Sequence, residues 1–368
     1  VGRTLVVGGG VLGTMHAYLS VARGDTVVHL DADLEPRRAS VRNFGLVWLS
    51  GRAPGRELAL AQRARDLWGE IAAAVPGVGL RADGSLTVAQ RPDELRVLEA
   101  MLDRADAAER GFRLLDPQAV RAVNPAVRGE LLGALHCTRD AIVEPGRVLP
   151  ALRTAMAASG RYEFLGGRTA VDAAPGRVRD HTGAEHRADL VVLCPGAAHA
   201  GVAAPWLVDA PLRRCRLQML QTEPWTERLT TALADGDSVR YYPAFAGPEV
   251  DALAPAAPVV DTWHAQLLVS QRAGGELTIG DTHSYDEPYD FALEEEPYRH
   301  LRARVESIVG AAVPPTRRRW AGVYSQATDG SVCVRVRPDP ALVVVTGPGG
   351  RGMTLSPAIA AETLEGIG

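Results

Sequence analysis

The sequence predicts an α/β protein that opens with a β-α-β unit, and three stretches carry the prediction. An apolar run from Leu5 to Val7 reads as a short buried strand, and Gly8, Gly10 and Gly13 follow it in the spacing G-x-G-x-x-G. Leu12, Ala17 and Leu19 then give an apolar helical pattern. A second strand, Thr26 to Leu30, ends on Asp31 and Ala32, with Asp31 eighteen residues after Gly13. Near the other end, Ala341 to Thr346 is a fully apolar strand that runs through a second glycine cluster into a final helix, Thr354 to Leu364. In the first cluster Gly8 permits the tight turn, Gly10 lets a diphosphate approach the backbone, and Gly13 lets helix and strand pack closely. The helix aims its unpaired N–H groups and positive dipole end at that diphosphate. Asp31 stands where an acidic side chain accepts ribose hydroxyls. The reading is a dinucleotide site, NAD or FAD being left open by the glycines.

The stretch Arg37 to Leu46 is polar and lacks helical or strand periodicity, so its backbone groups need partners that a cofactor would supply. Arg56 to Ala74 is an amphipathic helix through Leu58, Ala61, Ala64, Leu67, Trp68 and Ile71. Ser85–Ala89 reads as a strand and Glu94 to Glu109 as one helix. Asp116-Pro117 starts the next helix and Asn124-Pro125 stops it. Leu131 to His136 is a strand, Pro145 to Ala158 a helix. Arg168–Val171 and Leu190–Leu193 are strands around a turn-rich hairpin, the second ending in Cys194-Pro-Gly196-Ala197. Strand patterns dominate Arg213 to Thr222 and Leu267 to Thr282, with a Pro/Ala/Gly-rich loop from Pro243 to Pro258 between them and a helix from Tyr298 to Ala311 after them. The cluster Gly347 to Gly352 also fits G-x-G-x-x-G, but no second strand or distal acid follows. It is expected to aim a helix N-terminus at another part of the same cofactor.

With 368 residues the chain has room for about two domains. Its 46% apolar and 23% charged residues are ordinary for a soluble globular protein. A net charge of −4 gives no reason to expect nucleic acid or an anionic membrane as partner. No apolar run approaches the ~20 residues that span a bilayer. The first strand begins at once, which gives the expectation of no signal peptide and a cytoplasmic location. Cys137, Cys194, Cys215 and Cys333 have no metal-binding spacing, so neither a zinc site nor a disulfide framework is expected. All forty basic residues are arginine, which excludes a pyridoxal-phosphate Schiff base and a Walker P-loop.

Taken in order, several motifs resemble one family. They are Val6-Val-Gly-Gly-Gly-Val-Leu-Gly13, Ser40-x-x-Asn43-x-Gly45, Leu190 to Ala197, Trp320-Ala-Gly322 with Asp329-Gly330, and Gly347 to Gly352 with Ser356-Pro357. Together they look like the FAD-dependent amine oxidases related to D-amino-acid oxidase, glycine oxidase and sarcosine oxidase. Arg42-Asn-Phe-Gly45, Arg213 to Leu220, Arg240-Tyr-Tyr-Pro243 and Ile279-Gly-Asp-Thr-His283 are similar to a subgroup linked to aminophosphonate breakdown. The resemblance implies a Rossmann-like FAD-binding domain (residues 1–80, 141–210 and 320–368) and an α+β substrate domain on an antiparallel sheet (81–140 and 211–319). It implies that Gly8, Gly10, Val11, Leu12 and Gly13 bind the diphosphate, and Asp31 and Ala32 the adenosine ribose. Ser40, Asn43, Phe44, Gly45 and Leu46 would line the path to the flavin, Val171 would meet the adenine through its backbone, and Gly196 would pack at the cofactor. Gly349, Gly350, Arg351, Gly352, Met353 and Thr354 would face the flavin ring, where a helix N-terminus stabilises the negative charge of the reduced form.

Two departures inform the chemistry. In the amino-acid oxidases of this family Trp-Ala-Gly leads to an arginine that clamps the substrate carboxylate; here Val323-Tyr324-Ser325 follows, and tyrosine lacks the bidentate fork. Arg319, Arg351 or a histidine would then hold an anion placed elsewhere on the substrate. No cysteine lies between Trp320 and Val332, so FAD is expected to be non-covalent, and with no lysine near the flavin the electron acceptor is oxygen or another species. The expected activity is oxidation of a small primary or secondary amine, an aminophosphonate first and a sarcosine- or glycine-like amino acid second. A flavin-binding subunit of a larger complex is a further alternative. Tyr324, His283, His264, Tyr242 and Arg351 are the catalytic candidates, with Tyr241 and Gln326 beside them. No metal is expected, and the oligomeric state stays open.

Overall fold

The computed structural model describes residues 2–366. The strand Arg3–Val7 lies inside a six-stranded sheet, between Leu190–Leu193 and Thr26–Asp31, and pairs parallel with both. Parallel partners continue outward to Leu342–Thr346 on one side and Tyr162–Gly166 on the other, and antiparallel Val334–Asp339 closes one edge. A central parallel strand is covered on both faces, which is why Leu5 and Val6 are both buried and the run has no polar alternation. Helices Val11–Ala22, Arg56–Ala74, Pro145–Ala158 and Gly352–Glu365 cover one face with a core that includes Met15, Trp68, Leu152 and Ile359. Trp68 is fully buried and donates Nε1 to the carbonyls of Met353 and Thr354, at 3.1 and 3.2 Å. Its truncation to alanine would cost about 3–5 kcal/mol. The opposite face packs on a three-stranded ribbon (Ala170–Ala174, Arg177–Asp180, Glu185–Arg187) through Leu5, Leu30 and Val178.

The second sheet has eight strands. In spatial order they are Thr316–Ala327, Leu212–Pro224, Glu276–Gly280, Leu268–Gln271, Ala232–Asp235, Ser85–Ala89, Gly133–Cys137 and Phe112–Leu115. All neighbouring pairs are antiparallel except Ala232–Asp235 with Ser85–Ala89. Helix Glu295–Val309 covers one face through Tyr298, Leu301, Val305 and Ile308. The other face turns Leu217, Met219 and Tyr324 toward Phe44, Trp48 and Tyr242, so the two sheets meet across the segment 39–48.

The structure corrects several sequence expectations. The helix expected over 94–109 is two, Pro92–Ala100 and Ala107–Arg110, and the break lets the fully buried Arg110 reach inward. Its guanidinium donates to the carbonyls of Leu49, Ser50 and Arg52 at 2.7–3.1 Å. The boundary expected at 320 falls inside the strand Thr316–Ala327, whose twelve residues all belong to the second sheet. Its three arginines, Arg317 to Arg319, mask the alternation at the sequence level. The edge strand Tyr162–Gly166 is half-buried, so its pattern gives no clear strand signal.

Candidate functional site

A cavity of about 480 Å³ runs from the first glycine cluster to the face of the second sheet. At its glycine end the backbone is as tight as the spacing implies. Gly8 has φ +108°, and a Cβ there would lie 2.2 Å from the Cys194 carbonyl oxygen. A Cβ on Gly13 would lie 1.9 Å from the Gly8 carbonyl oxygen. Gly10, Val11, Leu12 and Gly13 line the cavity, and the helix they open presents N–H groups with no intrahelical acceptor. The Ser40 hydroxyl accepts from Val11 N at 2.9 Å. Asp31 accepts from the N–H groups of Gly9 and of Asp33, the latter at 2.6 Å. Beside it, Arg153 donates Nη2 to the Gly9 carbonyl at 2.8 Å and lies 3.8 Å over the Phe164 ring.

The polar loop is held from both sheets. Asn43 braces it by donating Nδ2 to the Ala39 carbonyl (2.9 Å) and accepting from Gly45 N (2.7 Å). Arg272, half-buried just beyond the strand Leu268–Gln271, donates to the carbonyls of Asn43 and Phe44, both at 2.8 Å. Burial pulls its guanidinium down to about 10. Thr354 joins the last helix to this loop: its hydroxyl donates to the Leu46 carbonyl (3.1 Å) and accepts from Trp48 N (3.0 Å). Gly349 to Thr354 line the cavity, so a second helix N-terminus opens onto it. Arg351 itself is committed elsewhere. Its guanidinium meets Glu57 (3.1 Å), the Ser331 carbonyl (3.1 Å) and the Pro348 carbonyl (2.9 Å). That corrects the expectation of an anion-holding or catalytic side chain at this position.

The other end of the cavity is walled by side chains. Tyr241, Tyr242, Tyr324, Gln266, Asp281 and His283 converge there. The rings of Tyr241 and His283 stack at 4.3 Å, and Tyr242 meets Tyr241 edge-on at 5.3 Å. Gln266 donates Nε2 to Asp281 at 3.0 Å. His283 Nδ1 lies 3.0 Å from the His264 carbonyl, which can only accept, so the other ring nitrogen faces the Asp281 carboxylate 3.8 Å away. Burial pushes the Asp281 carboxyl above the usual carboxylate range, with His283 and Gln266 opposing it. Burial, and after it neighbouring Tyr241, Cys215 and Asp281, hold the Tyr324 hydroxyl well above the usual phenol range. The Tyr324 hydroxyl, Gln266 Oε1 and Trp48 Nε1 are buried polar atoms with no partner in the protein. Here they line one cavity, where a bound ligand or water would meet them.

Most of the residues singled out from sequence therefore come together, and a few do not. Gly8 and Gly45 sit behind the wall, Gly45 because a Cβ there would lie 2.1 Å from the Val143 carbonyl oxygen. Asp31, Ala32 and Val171 lie outside the lining, Val171 being 53% exposed on the ribbon. Phe44, Leu46 and Gly196 line the cavity. His264 does not: it ends the helix Pro258–Trp263 in a left-handed conformation and supplies only its carbonyl, to His283. Arg319 pairs with Glu295 at 3.1 Å, outside the cavity. Sequence reasoning missed Asp281, Gln266, Arg272, Arg153 and Arg213. Asp281 stood two residues from His283 in a motif already noted, which was the available signal. Among the described residues no cluster of three or more acidic, histidine or cysteine side chains is arranged for a metal. No helix among them is long and apolar enough to cross a membrane.

Comparison with known proteins gives a consistent answer. The family described as "DAO: FAD dependent oxidoreductase" matches residues 3–365. One subunit of the opine oxidase from Rhizobium meliloti is 28% identical over 232 residues, 59% of this chain and 62% of that protein. The corresponding opine oxidase subunit from Agrobacterium tumefaciens (strain Ach5) is 31% identical over 168 residues, 42% of this chain and 45% of that protein. Each match thus spans less than two thirds of its relative. Glycine oxidase from Bacillus cereus ATCC 14579 superposes with a TM-score of 0.79 at 18% identity, over 100% of this chain and 95% of that one. Iminodiacetate oxidase from Chelativorans sp. BNC1 does so with 0.78 at 18% identity, over 99% and 95%. The residues present fit FAD. Two helix N-termini open onto one cavity, Gly10 lines it with no side chain to hold a diphosphate off the backbone, and Gly8 and Gly13 let the strand and helix pack against each other.

Proposed function

The chain belongs to the DAO family of FAD-dependent oxidoreductases, and from that premise we propose that it oxidises a C–N bond of a small amine. The observation that carries the proposal is the pocket of Tyr324, Asp281, Gln266 and His283, continuous with the cradle and holding buried polar atoms without partners. In this reading Gly10 to Gly13 hold the FAD diphosphate, Gly349 to Thr354 the flavin, and Asp31 with Arg153 the adenosine end. FAD is non-covalent. Cys333 lies off the cavity wall, and Cys194, on it, is at the glycine end.

Bound FAD supplies the two-electron acceptor for a hydride from the carbon bearing nitrogen. The chain does the rest. An amine arrives protonated, and the hydride leaves only from the free base, so one proton must go first. Asp281 is placed to hold the ammonium and take that proton, with Gln266 donating to one of its oxygens and the other left for the amine. The Tyr324 hydroxyl, kept neutral, orients the nitrogen through one hydrogen bond. Tyr241 and Tyr242 exclude bulk water until the imine is formed. Water then hydrolyses the imine to a carbonyl compound and ammonia or a smaller amine.

An aminophosphonate related to 2-aminoethylphosphonate is the substrate class we favour, because a tyrosine stands where a carboxylate clamp would be. The sarcosine- or glycine-like alternative needs that clamp. A second reading is favoured by the relatives themselves: both are named as one subunit of an opine oxidase, so this chain would be the flavin-bearing part of a complex that passes electrons to a partner. Anaerobic mixing of the FAD-loaded protein with amines, amino acids, N-substituted amino acids and aminophosphonates tests the proposal. Bleaching of the flavin by at least one amine is expected. Bleaching by none overturns it. Reoxidation of the bleached flavin by oxygen and by an artificial acceptor separates the two readings, the second requiring slow reaction with oxygen.

A further inference from the structure

Resting on the reading that the pocket takes an amine, we propose that Arg213 holds an acid group at the far end of the same substrate. The substrate is then a zwitterion whose carboxylate or phosphonate is separated by a spacer from the carbon that is oxidised.

Four arginines line the cavity: Arg42, Arg52, Arg213 and Arg351. Arg52 and Arg351 share Glu57, at 3.4 and 3.1 Å. On the strand of Arg213, Arg214 is paired with Glu287, and Arg216 donates to the Ala292 carbonyl at 2.6 Å. Arg213 has no acid partner among the described residues. It is nevertheless fixed in place. Its guanidinium lies 3.8 Å over the Tyr285 ring, and its Nε donates to Gln326 Oε1 at 3.3 Å. These contacts occupy one face and the Nε edge, and leave the two terminal nitrogens as a preorganised fork. A planar fork of this kind takes a carboxylate or phosphonate through two parallel hydrogen bonds.

Its position sets the length of the ligand. Arg213 sits opposite Gln326 in the sheet, and Cys215 opposite Tyr324. The fork is held at the level of Gln326, and on the backbone that level is two residues of strand, roughly 7 Å, from Tyr324. An acid on the reacting carbon itself would be too close to Tyr324 to reach it. Arg42 is the other cavity arginine without an acid partner, and it is at the wrong end. It donates to the Ala321 carbonyl at 2.7 Å, five residues back along the same strand, and packs on Gly322. Arg319, paired with Glu295 outside the cavity, serves as the control.

The test uses the FAD-loaded protein and the variants Arg213→Gln, Arg213→Lys and Arg319→Gln. Anaerobic flavin reduction is followed with 2-aminoethylphosphonate and 3-aminopropanoate as the two acid arms, their N-methyl forms, glycine, and propylamine as the neutral isostere. At least one acid arm is expected to half-saturate far below propylamine, and whichever arm does so identifies the acid. Arg213→Gln should raise that half-saturation about 10- to 150-fold, the loss expected for a hydrogen-bonded charge. The limiting rate should hardly change, Arg213→Lys should restore part of the binding, and Arg319→Gln should leave it as it was. Equal half-saturation for acid and neutral amines in the parent protein overturns the proposal, as does an Arg213→Gln variant that matches the parent. A titration of the flavin spectrum with propanoate and with methylphosphonate gives a readout free of turnover. If no amine reduces the flavin but these anions perturb it only when Arg213 is present, the amine reading fails and the anion site stands. If reduction occurs and neither anion binds in an Arg213-dependent way, the anion site fails alone.

Discussion

The two ends of the cavity are built from different materials. At the glycine end the working groups are backbone N–H donors at two helix N-termini, and side chains matter mainly by being missing, as at Gly8 and Gly13. At the tyrosine end the working groups are side chains from the second sheet and its connecting segments, and several of their polar atoms have no partner. The cradle is complete in its backbone.

That contrast is sharpest at Gly13. Replacement by valine puts a Cβ against the Gly8 carbonyl, where helix and strand are in contact and neither can give. Gly13→Val should yield protein without flavin absorbance, or none that is folded. Circular dichroism separates the two, and a variant with full FAD content would refute the contact as drawn. Asp281→Asn addresses the other end and should do the opposite. FAD content stays at the parent level while flavin reduction slows about 100-fold, within the range for loss of a proton acceptor. The remaining rate should keep rising at alkaline pH, following the free-base fraction of the amine in solution. A variant with unchanged rate and profile would remove Asp281 from the proton path.

The same contrast explains what could be read from the sequence. Backbone chemistry needs particular residues at fixed local spacing, so Gly8, Gly10, Gly13 and Gly349 to Gly352 were visible as motifs. Side-chain chemistry needs only that distant positions meet. Gln266 and Asp281 face each other on the two arms of an antiparallel hairpin, at its open end, and Tyr324 comes from a strand beyond it. Nothing local announces that meeting. His264 and His283 looked equivalent as lone histidines near strands; the register brings one ring into the cavity and leaves the other as a helix end. Arg213 was read as part of a motif, but its lack of an acid partner is a property of the fold. Tyr324 was singled out because the motif around it resembles one in a known family, not because a tyrosine there has any signature.

His29 offers a subtler test behind the cradle. It is fully buried, its Nε2 is 3.0 Å from the Gly8 carbonyl and its Nδ1 2.9 Å from the Tyr162 hydroxyl. The carbonyl can only accept, so Nε2 donates, Nδ1 accepts from the tyrosine, and the neutral ring satisfies both bonds. Burial pulls its titration down to about 3, the Gly8 bond opposing and Arg153 adding to it. In the unfolded chain the ring takes a proton near pH 6.5, so stability is lost as pH falls below that value toward about 3. At pH 5 the loss from this one residue is about 2 kcal/mol. His29→Phe should flatten the denaturant midpoint between pH 7 and pH 5, apart from the parallel contribution of buried His16, which burial lowers to about 4. An equally steep variant would mean that His29 does not stay neutral.

The smallest expected effect is also the one that tests the pocket's specificity directly. Tyr324→Arg places a guanidinium where the motif resemblance puts the carboxylate-clamping arginine of the amino-acid oxidases, about 7 Å of strand from the level of Arg213. Glycine and sarcosine, whose acid sits on the reacting carbon, should gain about tenfold in half-saturation, the lower end for a charge-assisted bond. The gain is held down by Asp281, which faces the same space and competes for the new cation. That pairing also occupies the group that accepts the ammonium proton, so the limiting rate should fall as binding improves. Amines with a distant acid should lose on both counts. If glycine and sarcosine are unaffected in both binding and rate, Tyr324 is not where the acid of an α-amino acid would have to lie, and the division of the pocket between an amine end and an acid end is wrong.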